Sequence, residues 1–194
     1  MPKLKAAKQV FTHVRNTVEL LSPALQNAKD AAYNNWLDDI QYGMDELKKL
    51  ETHPKSSRIF RRFALYCVEQ QMQATDNAAM RRTLGALRKY LNDECNWRDV
   101  LETKADLDRA VTSLHRGLRE SFFSRSMMLQ NALMKSPRQG ASACLVSAVG
   151  QRVTEAFRDF PLDTARAVTA RSNYRSEVMR QFIAKAKGCA KKPI

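Results

Sequence analysis

Apolar positions recur at intervals of three and four along almost the whole chain, the spacing of amphipathic helices, and no alternating stretch of useful length suggests a strand. Leu4, Ala7, Phe11, Val14, Val18 and Leu21 form a first stripe. Ser22-Pro23 then reads as an N-cap followed by Pro at the first helical position, opening a second helix that carries Leu25, Ala28, Ala32, Trp36, Ile40, Met44, Leu47 and Leu50. That helix should stop near His53-Pro54, because a residue before Pro is pushed out of the α region. A third follows Ser56 or Ser57, with Ile59, Phe60, Phe63, Tyr66, Cys67 and Met72 inward. A fourth, capped by Thr75 or Asp76, shows Met80, Leu84, Leu87 and Leu91.

After the polar break at residues 92–96, Thr103 with Asp106 resembles a capping box. It would open the longest helix, lined by Leu107, Val111, Leu114, Leu118, Phe122, Leu129 and Leu133 and ending near Lys135. Ser136-Pro137-Arg138-Gln139-Gly140 reads as a loop. The run from Ala141 to Val149 is apolar or small on every side and belongs at the centre of a bundle. Phe160-Pro161 ends that element. Asp163 can cap a last helix with Ala165, Val168, Val178, Met179, Phe182 and Ile183 inward and Gly188 as its C-cap. The expected architecture is all-α, a compact bundle of six to seven helices in a single domain over residues 1–188, with a short basic tail at 189–194. Gly43, Gly85, Gly117 and Gly150 fall in or near these helices, which suggests close helix crossings.

Charge adds the strongest functional hint. The 194 residues carry 33 Lys and Arg against 20 Asp and Glu, a net of +13. The first 108 residues are nearly balanced at +2, so +11 sits on residues 109–194. Such asymmetry makes a field that attracts phosphate-rich or acidic partners. On the predicted helices Arg81, Arg82, Arg88 and Lys89 point away from their leucine stripe with no acid on the same face. Arg58, Arg61 and Arg62 crowd the preceding helix, and Arg109, Arg116 and Arg119 lie opposite the stripe of the long one. Arg125, Arg171 and Arg175 fall on faces assigned to the core. Either they pair internally, with Glu155, Asp159 or Glu177, or they line a groove that takes a phosphate or a base. Tyr33, Trp36, Tyr42, Tyr90, Trp97 and Tyr174 are candidate stacking platforms. Trp97 is the one that follows a polar break instead of sitting on an inward stripe.

Chemistry finds little foothold. Cys67, Cys95, Cys144 and Cys189 and the three histidines are too scattered for a zinc clip, and neither a cofactor nor a metal site is expected. Cys144, near a helix start, is best read as an inert core thiol, and His115 has no placed carboxylate. The acidic pairs Asp38-Asp39, Asp45-Glu46 and Asp106/Asp108 balance basic neighbours. No phosphate-binding loop, dinucleotide fingerprint or zinc-protease helix is present. The chain is therefore read as non-enzymatic. It shows no signal peptide and no membrane-spanning stretch, which points to an intracellular compartment and reduced thiols.

Two partner classes fit. The first is nucleic acid, RNA before DNA, bound through its backbone by a coating or packaging protein of the viral type. The second is an acidic protein or an anionic membrane surface. Residues 3–18 would engage it, with help from the basic segment 185–192 and an acylated Cys189. A homo-oligomer is compatible with both.

Overall fold

A computed structural model describes the backbone of residues 2–72, 77–114 and 120–191, and within these the side chains of 23–72, 77–112 and 125–191. Among the described residues the chain forms seven α-helices and no strand. They are α1 (Pro2–Lys49), α2 (Ser56–Glu69), α3 (Ala78–Leu91), α4 (Trp97–Leu114), α5 (Glu120–Ala132), α6 (Pro137–Ala156) and α7 (Ala165–Lys191). The expected all-α bundle is what forms.

The small-residue helix α6 packs against α1, α2, α5 and α7 and is the hub of the bundle. Gly140, Ala141, Ser142, Cys144, Leu145, Ala148, Val149 and Val153 are its buried positions. Their low volume lets four helices approach one axis. The predicted stripes of α3 and α7 hold: Met80, Leu84, Leu87 and Leu91 are all buried, as are Val178, Met179, Phe182 and Ile183, whereas on α1 the expected inward Met44 is 41% exposed and Gly43, Glu46 and Leu47 are the buried positions. Thr83 ties α3 to α4, its hydroxyl lying 2.9 Å from the carbonyls of both Ala79 and Thr103.

Several boundaries differ from the sequence expectation. The chain does not start a new helix at Ser22-Pro23, because α1 runs on with Pro23 inside it. Ser136 is an N-cap accepting from the Gln139 amide, and Pro137 opens α6, so the expected loop at 136–140 is the first turn of a helix. The break after α3 is followed directly by α4. Its cap is a reciprocal pair, Asn96 Oδ1 accepting from the Asp99 amide and Asp99 Oδ2 from the Asn96 amide. Thr103 bonds back to the Val100 carbonyl instead of capping. The long helix expected to reach Lys135 is two helices, with residues 115–119 outside the described residues.

Asn77 caps α3 by accepting from the Ala79 amide, while Thr75 and Asp76 lie outside the described residues. Thr164, not Asp163, caps α7. Gly188 does not end α7, which continues to Lys191 with Cys189 buried, so the proposed free tail loses its first residues.

Only one of the expected glycine crossings is tight. A Cβ on Gly43 would lie 3.0 Å from Leu145 and from Met179, where α1 crosses α6 and α7. Gly85 and Gly150 have open space, and Gly117 lies outside the described residues.

Helices α1 and α7 run parallel, joined by a ladder of polar contacts. Asn35 donates to Ser172, Ser176 donates to Asp39, and Lys187 pairs with Glu46. Glu46 is nearly buried and also pairs with Lys49. The hydrogen bond from Lys187, then that from Lys49, holds its carboxyl below the usual carboxylate range. A depressed folded-state value means this stabilisation is complete above the unfolded pKa and is lost as pH falls through the folded one. Glu46→Gln is therefore expected to lower the melting temperature at pH 6, with the gap to the parent narrowing as the pH is lowered through the acid range. A gap that stays constant over that range would show that the charge of Glu46 contributes nothing.

Candidate nucleic-acid interface

The structure divides the predicted basic residues into two groups, on different parts of the bundle. Helix α3 packs on α2, α4 and α5, whereas α7 packs on α1, α2 and α6.

In the first group most guanidiniums have protein partners, and the reason is long-range. Arg58 makes a bidentate pair with Asp93, donates to the Tyr90 carbonyl and lies 5.6 Å from the Tyr90 ring. The Arg58 hydrogen bonds hold the Asp93 carboxyl low and raise Arg58 itself. Asp93 has φ +62°, a left-handed conformation that Asp tolerates better than most residues, and the pair fixes that turn against α2. Arg61 is buried, donates to the carbonyls of Ala132 and Met134, and sits 3.5 Å over Trp97. Burial lowers its pKa. Trp97, the favoured stacking candidate, is thereby covered, with Tyr90 edge-on at 5.0 Å.

The face of α3 is not free of acids, as its own sequence suggested. Glu69 from α2 takes Arg88 at 2.7 Å, and Asp106 from α4 lies 3.9 Å from Arg82 and 2.5 Å from Arg109. Arg81 and Lys89 are exposed on α3. Arg62 is half-buried, and its Nη1 has no hydrogen-bond partner among the described residues. Arg116 and Arg119, with His115, lie outside the described residues.

The second group lines a groove. Arg171 and Arg175 of α7 face α1 across a space of about 420 Å³ that also takes in Lys29, Tyr33 and Trp36. Val153 of α6, Leu162 of the α6–α7 connection and Val168 give it apolar walls, and Ala32, Gly150, Thr154 and Ser172 complete it. A groove of this size falls in the ~300–1,000 Å³ range of small-ligand sites.

Arg175 is the anchored member. It donates to the Ala32 carbonyl and to Ser172, lies 3.7 Å from Asp39, and sits 4.8 Å from the Trp36 ring centroid. Burial lowers its pKa; Asp39 opposes that shift, and the neighbouring charge of Arg171 adds to it. The carboxylate that Arg175 uses is thus Asp39 from α1, not Glu155, Asp159 or Glu177. Arg175 is internally paired, and with Arg171 it also lines a groove. Arg125 is buried on α5, an element that packs on α2, α3, α4 and α6, and does not join them.

Lys29 and Arg171 make no ion pair among the described residues, and Asp39 is already shared by Ser176 and Arg175. The lining of the groove thus holds three cations and no Asp or Glu, and the groove is electropositive. Sequence reading named Tyr33, Trp36, Arg171 and Arg175 without bringing them together, and it missed Lys29. The signal for Lys29 was present: residues 29, 33 and 36 share one face of a helix.

Elsewhere the candidate chemistry is absorbed by the fold. Cys144 is buried and donates to the Met128 carbonyl, and burial pushes its thiol up to about 12. Asp108 is held by Lys104 and Gln130, and Asp45 accepts from Gln41. Cys189 packs inside the bundle, which removes the residue suggested for acylation. No helix among the described residues is long and apolar enough to cross a membrane. Against this geometry, comparison with protein-family models, curated proteins and solved structures found no match to the chain.

Proposed function

We propose that this protein binds nucleic acid, with RNA as its ligand, through the phosphate backbone and without catalysis. The observation that carries the reading is the convergence of Lys29, Arg171 and Arg175 on one groove whose lining contains no carboxylate. Two arginines side by side at the cost of mutual repulsion make sense where an anion relieves it, and guanidinium forks suit phosphate oxygens. The long helix α7 extends this field, with Arg166, Arg171, Arg175, Arg180, Lys185, Lys187 and Lys191 against a single acid, Glu177. Contacts of this kind position a strand without reading its sequence, the behaviour expected of a coating or packaging protein.

The test must avoid arginines that hold the fold. Reversing Arg82 or Arg88 would also break their pairs with Asp106 and Glu69. Lys29→Glu combined with Arg171→Glu removes two candidate phosphate contacts and no ion pair of the described fold. In fluorescence anisotropy with labelled single-stranded RNA, the parent should bind more weakly as salt rises. The double variant should bind at least tenfold more weakly, with a log–log salt slope shallower by roughly 1.4, at ~0.7 per single-strand contact. Binding unchanged by the reversal would sink this reading, as would a parent protein that ignores RNA at physiological salt. Anionic liposomes offered in the same assay test the membrane alternative.

A further inference from the structure

Resting on that reading, we infer that the α1–α7 groove takes one unstacked base of a single strand, seated against Tyr33 and Trp36, while Lys29 and Arg171 hold its flanking phosphates. The protein on this account selects single-stranded RNA over duplex.

Four features of the groove carry this. Its walls are apolar and aromatic, with cations among them, which matches a nucleotide: a flat ring between charged phosphates. A phosphate alone would need no such walls. Trp36 already has the Arg175 guanidinium over its ring, whereas Tyr33 is 63% exposed, far more than a Tyr placed for packing. Lys29 and Tyr33 stand one helical turn apart on α1, so a base on the ring brings its phosphate within reach of the ammonium. Finally, α6 carries Gly150 where a Cβ would meet nothing within 4 Å. A mid-helix Gly without a packing need leaves the groove deeper than any other residue would.

A duplex cannot use such a site. Its bases are stacked inside the helix, and reaching one means flipping it out at an energetic cost. A single strand offers its bases directly, and stacking on aromatic rings tolerates any sequence.

The experiment uses the full chain with a labelled RNA of ~20 nucleotides, single-stranded or annealed to its complement, at about 150 mM salt. The single strand is expected to bind at least tenfold more tightly than the duplex and to quench tryptophan emission, with the quench lost in Trp36→Phe. Tyr33→Ala should weaken single-strand binding roughly tenfold, in line with the loss of one stacked base. Gly150→Leu should weaken it at least as much by filling the groove, with thermal stability no lower than the parent's.

Equal affinity for strand and duplex overturns the inference. So does a folded Gly150→Leu or Tyr33→Ala protein that binds as the parent does. If the Lys29/Arg171 reversal still abolishes binding in that case, backbone recognition stands and the base site alone falls. A parent protein that binds no RNA overturns both. Should Gly150→Leu fail to fold, Tyr33→Ala decides, since its exposed ring is not part of the core.

Discussion

Replacing Gly140 by Ala is expected to lower the unfolding free energy by about 3 kcal/mol, at the upper end of the range for overpacking, and the melting temperature by roughly 6–12 °C. A Cβ at this position would lie 2.3 Å from the carbonyl oxygen of Asn131 and 3.3 Å from its carbon. These are backbone atoms of α5 and cannot rotate away. Either α6 withdraws from α5 or the last turn of α5 opens, and both expose the core around Leu129, Ala132 and Ala141. Gly150→Ala, ten residues along the same helix, serves as the control. There the new methyl meets only open space, and helix propensity favours Ala by up to ~1 kcal/mol. Denaturant titration of the two variants should move the midpoint in opposite directions. A Gly140→Ala protein as stable as its parent would mean that α5 and α6 do not approach as described.

Arg61→Ala should cost a similar amount, about 3 kcal/mol, while leaving the proposed RNA affinity per folded molecule within about twofold. Arg61 belongs to the set that charge alone nominates for phosphate binding, yet its guanidinium is spent inside the protein. It satisfies the carbonyls of Ala132 and Met134 at the C-terminal end of α5 and covers the ring of Trp97. The last carbonyls of a helix lack partners within it, and a cation suits the negative end of the helix dipole. Truncation leaves the Ala132 carbonyl buried without this donor, and the part-buried Met134 carbonyl likewise, beside an uncovered indole. Arg61→Met separates the contributions, because it keeps the stem against Trp97 and removes the charge. If Met were as stable as Arg, the desolvation cost of the buried guanidinium would equal everything its hydrogen bonds return. A large loss of RNA binding by a stable Arg61 variant would return this residue to the interface.

Helices were legible wherever one apolar face repeats. The stripes of α3 and α7 and the featureless centre of α6 were read directly, because burial selects one side of a helix and 3.6 residues per turn writes that side into the chain. Boundaries were less legible, and the Ser-Pro dipeptide shows why. At 136–137 it starts α6, whereas α1 passes through Pro23. The dipeptide carries the same local preference at both sites, and the packing of the rest of the helix chooses between start and interruption.

The sequence by itself determined the helical class, the core faces and an excess of positive charge on its second half. Only the tertiary structure decided which charges remain available. Asp93, Glu69, Asp106 and Asp39 each reach a basic residue from another element, 35, 19, 24 and 136 residues away along the chain. Helical periodicity relates residues a few positions apart, so it cannot show such pairings. The groove follows for the same reason. Lys29, Tyr33 and Trp36 meet Arg171 and Arg175 only because α1 and α7 lie side by side in parallel, an arrangement that the close approach of Gly43 to Leu145 of α6 and Met179 of α7 permits.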